Sequence, residues 1–153
     1  MLTNPATALI FEEPHDLPRI FTDDRRLSQI LRNFIGNAVK FTEAGEIRVQ
    51  ATADGDGQVT FAVTDTGIGI APADQEKIFE EFYQVRGAQQ AKVRGTGLGL
   101  PLSRKLAGLL GGHVAVASTV GAGSTFSVTI PARYAEPRLS DPGRPAIEEI
   151  QHA

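Results

Sequence analysis

The stretch Val59-Thr60-Phe61-Ala62-Val63-Thr64-Asp65-Thr66-Gly67-Ile68-Gly69-Ile70 carries two signals in immediate succession. Val59, Phe61 and Val63 alternate with their neighbours at the period of a half-buried strand, and continuing that period puts Asp65 on the same apolar face. A carboxylate aimed at a core is costly unless donors wait for it, from the protein or from a ligand. The strand then breaks into a glycine run from Asp65 to Ile70, and a second run follows at Gly95-Thr96-Gly97-Leu98-Gly99-Leu100. Glycines this dense cost backbone entropy, so a folded protein keeps them where φ must be positive or where the main chain approaches a ligand. Either run by itself fits an ordinary tight turn as well as a binding loop.

Before this strand, Asp54-Gly55-Asp56-Gly57 reads as a hairpin turn, and Ile47, Val49, Ala51 and Ala53 alternate as the partner strand. Upstream again, Leu27, Ile30, Leu31, Phe34, Ile35, Ala38 and Phe41 recur at helical spacing, with Thr22, Asp23 and Asp24 as N-cap candidates and Glu43-Ala44-Gly45 as the stop. Ala8 to Phe11 reads as a short strand ended by the Pro14 and Pro18 region, and Arg19 to Phe21 as a second extended piece. After the second glycine run, Thr96 to Gly111 reads as a helix with Leu98, Leu102, Leu106, Leu109 and Leu110 turned inward, and Pro101 is tolerated in its first turn. Val114 and Val116, then Phe126, Val128 and Ile130, alternate as two closing strands around a Gly121-Ala122-Gly123 turn. The order of elements lacks a regular βαβ alternation. It predicts an α+β sandwich: a mixed, mostly antiparallel sheet of about five strands with about three helices on one face, the other face being more solvated.

The 153 residues fit one domain, here residues 1–134, with the proline-rich and charged residues 135–153 as a linker or tail. Hydrophobic residues make up 41% and charged residues 22%, which excludes the disordered and fibrous classes. Fifteen Lys and Arg against 18 Asp and Glu give a net charge of −3, so no basic field exists to hold a nucleic acid. The absence of cysteine removes disulfides and thiolate metal sites and fits a reducing, cytoplasmic location. No apolar run approaches the ~18 residues of a membrane span, so no membrane contact is expected of this segment.

On the long helix, Asn33, Asn37 and Lys40 fall at i, i+4 and i+7 and form one stripe beside the apolar face. Asparagine is a poor helix former, and a merely solvated flank would more cheaply use Glu, Lys or Gln. A magnesium-bound triphosphate gives a reason: amide oxygens suit a hard cation, and amide donors with a lysine suit phosphate oxygens. A plain polar flank is the alternative. The second glycine run opens a helix, whose free N–H groups and positive dipole end favour an anion such as phosphate. Neither run has the P-loop pattern or the dinucleotide G-x-G-x-x-G spacing in a βαβ unit.

In their order these motifs resemble the nucleotide boxes of histidine kinases. Asn33 to Thr42 is similar to the N box, Asp65 to Ile70 to the G1 box, Ile78-Phe79-Glu80-Glu81-Phe82 to the F box, Gly95 to Leu100 to the G2 box, and Gly121 to Phe126 to the closing glycine box. The resemblance spans roughly residues 8–131. It implies the catalytic, ATP-binding domain of a two-component sensor kinase, in the GHKL superfamily. By that resemblance Asp65 would accept from the adenine amino group, Asn37 would ligate Mg2+, and Asn33 and Lys40 would meet the phosphates. Gly67 and Gly69 would let the chain pass close to the base, Ile70 and Phe41 would contact it, and Thr125 would support the adenine end. Residues 84–94 would form an ATP lid, anchored by Phe79 and Phe82. Arg94 and the Gly95, Thr96, Gly97, Leu98, Gly99 and Leu100 segment would close on phosphate. Pro101 stands where the family more often has a small residue, the one departure from its pattern.

The family moves the γ-phosphoryl of ATP to a histidine on a separate dimerisation helix, and a response regulator or receiver domain lies downstream. Of the histidines present, His15 lies on a proline-broken stretch, His113 begins a strand and His152 is in the tail, so all three read as bystanders. The chain is then expected to be a monomeric catalytic fragment without its own acceptor. Three alternatives are a GHKL-type ATPase, an anti-sigma-type protein-serine kinase and a nucleotide-binding module without turnover. GHKL ATPases carry a glutamate as general base where this chain has Asn33, and an amide cannot take that proton.

Overall fold

The computed structural model describes residues 7–14, 16–81 and 99–133. Phe82, the 84–94 lid segment with Arg94, Gly95, Thr96, Gly97 and Leu98, His15, His152 and residues 135–153 lie outside the described residues. In chain order the elements are β1 (Thr7–Phe11), α1 (Asp24–Phe41), β2 (Gly45–Ala53), β3 (Gln58–Asp65), α2 (Pro72–Gln75), α3 (Gly99–Leu109), β4 (His113–Thr119) and β5 (Gly123–Pro131). The strands form one five-stranded sheet in the order β1-β2-β3-β5-β4, with β1 parallel to β2 and every other pair antiparallel. This is the expected mixed sheet with helices on one face.

Local chemistry sets the boundaries. The Asp23 carboxylate accepts from the amides of Arg25 and Arg26 at 3.0 and 3.2 Å, which caps the first turn of α1. Between β2 and β3 the Asp54 carboxylate accepts from the amides of Asp56 and Gln58, while Gly55 and Gly57 take φ of 84° and 86°. Of the Arg19–Phe21 piece, Phe21 forms a parallel bridge to Arg133 beyond the end of β5, its amide donating to the Ala132 carbonyl at 2.7 Å.

The core lies between α1 and α3 and the inner face of the sheet. Ile30, Phe34, Ile35 and Ala38 from α1 meet Ile47, Val63, Phe126, Val128 and Ile130, and the Phe34 and Phe126 rings sit 5.6 Å apart. The opposite face carries hydroxyls paired across strands, Thr60 with Thr129 and Thr64 with Thr125. Among the described residues no helix is long and apolar enough to cross a membrane.

Helix α3 keeps its expected facing at Leu106 and Leu110 and departs from it at Leu102 and Leu109. Leu102 and Leu109 are exposed, while Pro101, Ser103, Ala107 and Leu110 are buried. Residues 103, 107 and 110 form an i, i+4, i+7 stripe as regular as the leucine one. Small side chains at Ser103 and Ala107 let α3 pack beside α1, and Leu102 and Leu109 turn outward, while Leu106 packs against the core.

Candidate functional site

Across one end of the inner face, Ile47, Asp65, Ser124 and Ser118 are register partners in consecutive strands and so share that face. Asp65 is 3% exposed, as the alternation of β3 required. Its Oδ1 accepts from the Gly67 amide at 2.9 Å, and the Ser124 backbone amide also bonds the carboxyl. Burial pushes the carboxyl above its ordinary value, and the two amide bonds oppose that rise only in part.

The loop after β3 is fastened on both sides. The Ile68 amide donates to the Phe41 carbonyl at 3.1 Å, at the end of α1, and the Ile68 carbonyl accepts from Gly121 at 2.8 Å. The Ile70 amide donates to Ser118 Oγ at 2.7 Å, and Gln75 Nε2 donates to the carbonyls of Ile70 and Ser118. A Cβ on Gly67 would stand 2.1 Å from the Phe41 carbonyl oxygen, and one on Gly69 would stand 2.2 Å from that of Thr119, with φ at +77°. Both glycines are therefore required by the approach of the protein's own backbone, before any base is considered. Ile70 and Phe79 are buried, and Phe41 is half-buried. The Arg104 guanidinium lies 5.9 Å from the Phe79 ring centroid.

Thr125 is a correction. Its hydroxyl lies 3.0 Å from that of Thr64, and both register positions fall on the face opposite Asp65. The neighbour of Asp65 is Ser124. Stepping back by two from Ile130, Val128 and Phe126 reaches residue 124, so the alternation of β5 already held this answer.

Asn33, Asn37 and Lys40 fall on one stripe of α1, the two asparagines half-buried and the lysine exposed. The Asn33 amide nitrogen donates to the Gly99 carbonyl and to Ser103 Oγ, both at 3.0 Å, and its oxygen accepts from Gln29 Nε2 at 3.0 Å. Asn33 thus spans from α1 to the first turn of α3, a tie the sequence reading did not foresee. The Asn37 amide donates to the Asn33 carbonyl at 3.1 Å, and its oxygen has no partner among the described residues. That oxygen has the chemistry a hard divalent cation requires. Gly99 opens α3 with the Asn33 side chain 3.8 Å from where its Cβ would lie, and Leu100 is half-buried behind it. His113 is exposed at the start of β4.

Comparison with known proteins gives concordant matches. The model of the family described as histidine kinase-, DNA gyrase B-, and HSP90-like ATPase matches residues 22–134. The chain is 45% identical over 131 residues to the circadian input-output histidine kinase CikA of Synechococcus elongatus, covering 84% of this chain and 17% of that protein. It is 43% identical over 129 residues to the aerobic respiration control sensor protein ArcB of Escherichia coli, covering 84% and 16%. It therefore spans about a sixth of the length of these curated relatives. Among solved structures, full-length ShkA in complex with AMPPNP superposes with a TM-score of 0.74 at 41% identity, covering 87% of this chain and 27% of that one. The catalytic domain of histidine kinase ThkA, in a nucleotide-free form, superposes at 0.65 with 30% identity, covering 82% and 79%. By sequence and by fold, the chain belongs to the histidine kinase-, DNA gyrase B- and HSP90-like ATPase family.

Proposed function

We propose that this chain is the ATP-binding catalytic domain of a sensor histidine kinase, acting on a histidine carried by a separate dimerisation domain. The observation that carries the reading is Asp65: a buried carboxylate with two backbone amides in attendance, followed by a loop that is fastened at Ile68 to the end of α1, the helix that carries the asparagine stripe. Its relatives named as sensor kinases and the AMPPNP complex of ShkA support the same reading. Residues 1–134 serve as the catalytic unit, with 135–153 as a linker.

In this mechanism Asp65 accepts a hydrogen bond from the amino group of the base, while Gly67, Ile70 and Phe41 line the pocket around it. Asn37 offers its amide oxygen to Mg2+, which when bound neutralises charge on the phosphate oxygens. Lys40 brings a second positive charge to the same stripe, and Asn33 fixes the first turn of α3 against α1. Arg94 and residues 95–98 complete the phosphate end in this scheme. The bond from the γ-phosphorus to the β,γ-bridging oxygen breaks, a bond to an imidazole nitrogen forms, and ADP leaves. Catalysis of this kind consists mainly of positioning and charge stabilisation. Hydrolysis is disfavoured because Asn33, at the position of the hydrolases' glutamate, has no basic atom to take a proton from water. The partners are that histidine-bearing domain and a response regulator.

Mixing the chain with γ-labelled ATP, Mg2+ and the histidine-bearing domain of the same kinase tests this directly. Acid-labile label on the histidine is the expected result. Nucleotide binding without label would reduce the reading to a binding module, and rapid release of phosphate would move it to the ATPases.

A further inference from the structure

Ser118 has no role in the scheme above, yet it makes a saturated set of bonds. Its Oγ lies 2.7 Å from the Ile70 nitrogen, 2.8 Å from the Gly123 carbonyl oxygen and 2.8 Å from Ser124 Oγ. A serine hydroxyl has one hydrogen and two lone pairs. The carbonyl can only accept, so the single hydrogen of Ser118 goes to Gly123. The amide can only donate, so it occupies one lone pair. The remaining lone pair must then take the hydrogen of Ser124, which fixes the direction of that hydroxyl toward β4. Ser124 is left with lone pairs alone to offer elsewhere.

Ser124 is the register partner of Asp65, whose carboxylate, in the ionised form that would receive an amino group, also only accepts. Together they form an edge without a hydrogen to give. Such an edge pairs with an exocyclic amino group and repels an oxo group at the same place.

We propose that Ser118 is a positioning residue that sets purine choice: by holding the Ser124 hydroxyl hydrogen away, it makes the Asp65 end of the cleft select a 6-amino over a 6-oxo purine nucleotide. This rests on the nucleotide reading above. Gln75 assists by fastening the Ile70 and Ser118 carbonyls, which keeps the Ile70 amide on Ser118. Without the Ser118 hydroxyl, Ser124 is free to turn and donate, and an oxo group becomes acceptable.

Mg-ATP and Mg-ITP, which differ at that position of the base, are titrated into the wild-type chain and into Ser118→Ala and Ser118→Thr, with folding checked by circular dichroism. The wild type is expected to prefer ATP. Ser118→Ala should lower the ratio of the ITP to the ATP dissociation constant about tenfold, the scale of one hydrogen bond. Ser118→Thr, which keeps the hydroxyl, should restore the ratio, whereas a purely architectural serine would change both affinities together. Should Ser118→Ala not fold, Ser118→Cys replaces it, because a thiol of similar size donates and accepts only weakly. A folded variant that keeps the wild-type ratio overturns the proposal, as does a wild type indifferent to the two bases. Binding of neither nucleotide by the wild type would instead remove the functional reading on which the proposal stands.

Discussion

Asn33 on α1 and Ser103 on α3 converge on one acceptor: both donate to the Gly99 carbonyl, at 3.0 and 2.9 Å, and the asparagine donates to the serine hydroxyl as well. Ser103 is fully buried, so this three-way contact fixes the first turn of α3 against α1. The two asparagines of the stripe consequently do different jobs.

Asn33→Ala should therefore cost stability as well as function. Removing an amide that satisfies buried partners is worth about 1–3 kcal/mol. Asn37→Ala should leave the melting temperature almost unchanged, since its one bond among the described residues is within its own helix, yet weaken nucleotide binding in the presence of Mg2+. Thermal melts paired with titrations with and without Mg2+ check the split. Equal destabilisation by both substitutions would contradict it.

Asp65 should make the nucleotide-free domain pH-sensitive. Burial raises its folded-state pKa above the unfolded value, so its contribution to stability is full below about pH 4, the unfolded carboxylate range, and is lost as pH rises through the folded value. Asp65→Asn has no such titration. Relative to that variant, the wild type should lose melting temperature as pH rises from about 4 toward neutrality. Parallel melting curves over that range would show that the carboxyl is not strained by burial.

The glycines should sort by the space around them. Gly69→Ala combines a positive φ with a 2.2 Å clash against backbone and should cost more than about 2 kcal/mol. Gly36, inside α1 with nothing within 4 Å of the added Cβ, should gain about 0.5–1 kcal/mol as alanine. Chemical denaturation of both variants decides the order, and a stabilising Gly69→Ala would refute the close approach.

Much of this was legible in the chain. Period-two alternation fixed β3 and with it the inward Asp65, and helical spacing fixed α1 with its asparagine stripe. The reading failed where two periodic patterns competed. In α3 the leucine stripe and the stripe of Ser103 and Ala107 are equally regular, and hydrophobicity favours the first. The leucine stripe holds at Leu106 and Leu110, and the second prevails over Leu102 and Leu109 because helix packing at this point rewards small side chains and the Asn33 bond, neither of which periodicity records. Thr125 differs for a simpler reason: counted by twos from Phe126, the inner face of β5 carries Ser124 and the outer face Thr125. The hydroxyl set on Ser118 joins residues 70, 118, 123 and 124, and only a folded register brings these together.

In the proposed scheme Asp65 receives the base of a nucleotide whose phosphates lie along the asparagines. Calorimetric titration of Mg-ATP into the wild type and into Asp65→Asn tests it most directly. Saturable binding by the wild type is expected, with at least about tenfold weaker binding by the folded variant, the loss that follows from removing one charge-assisted hydrogen bond. Equal affinities, or no binding heat from the wild type, would contradict it.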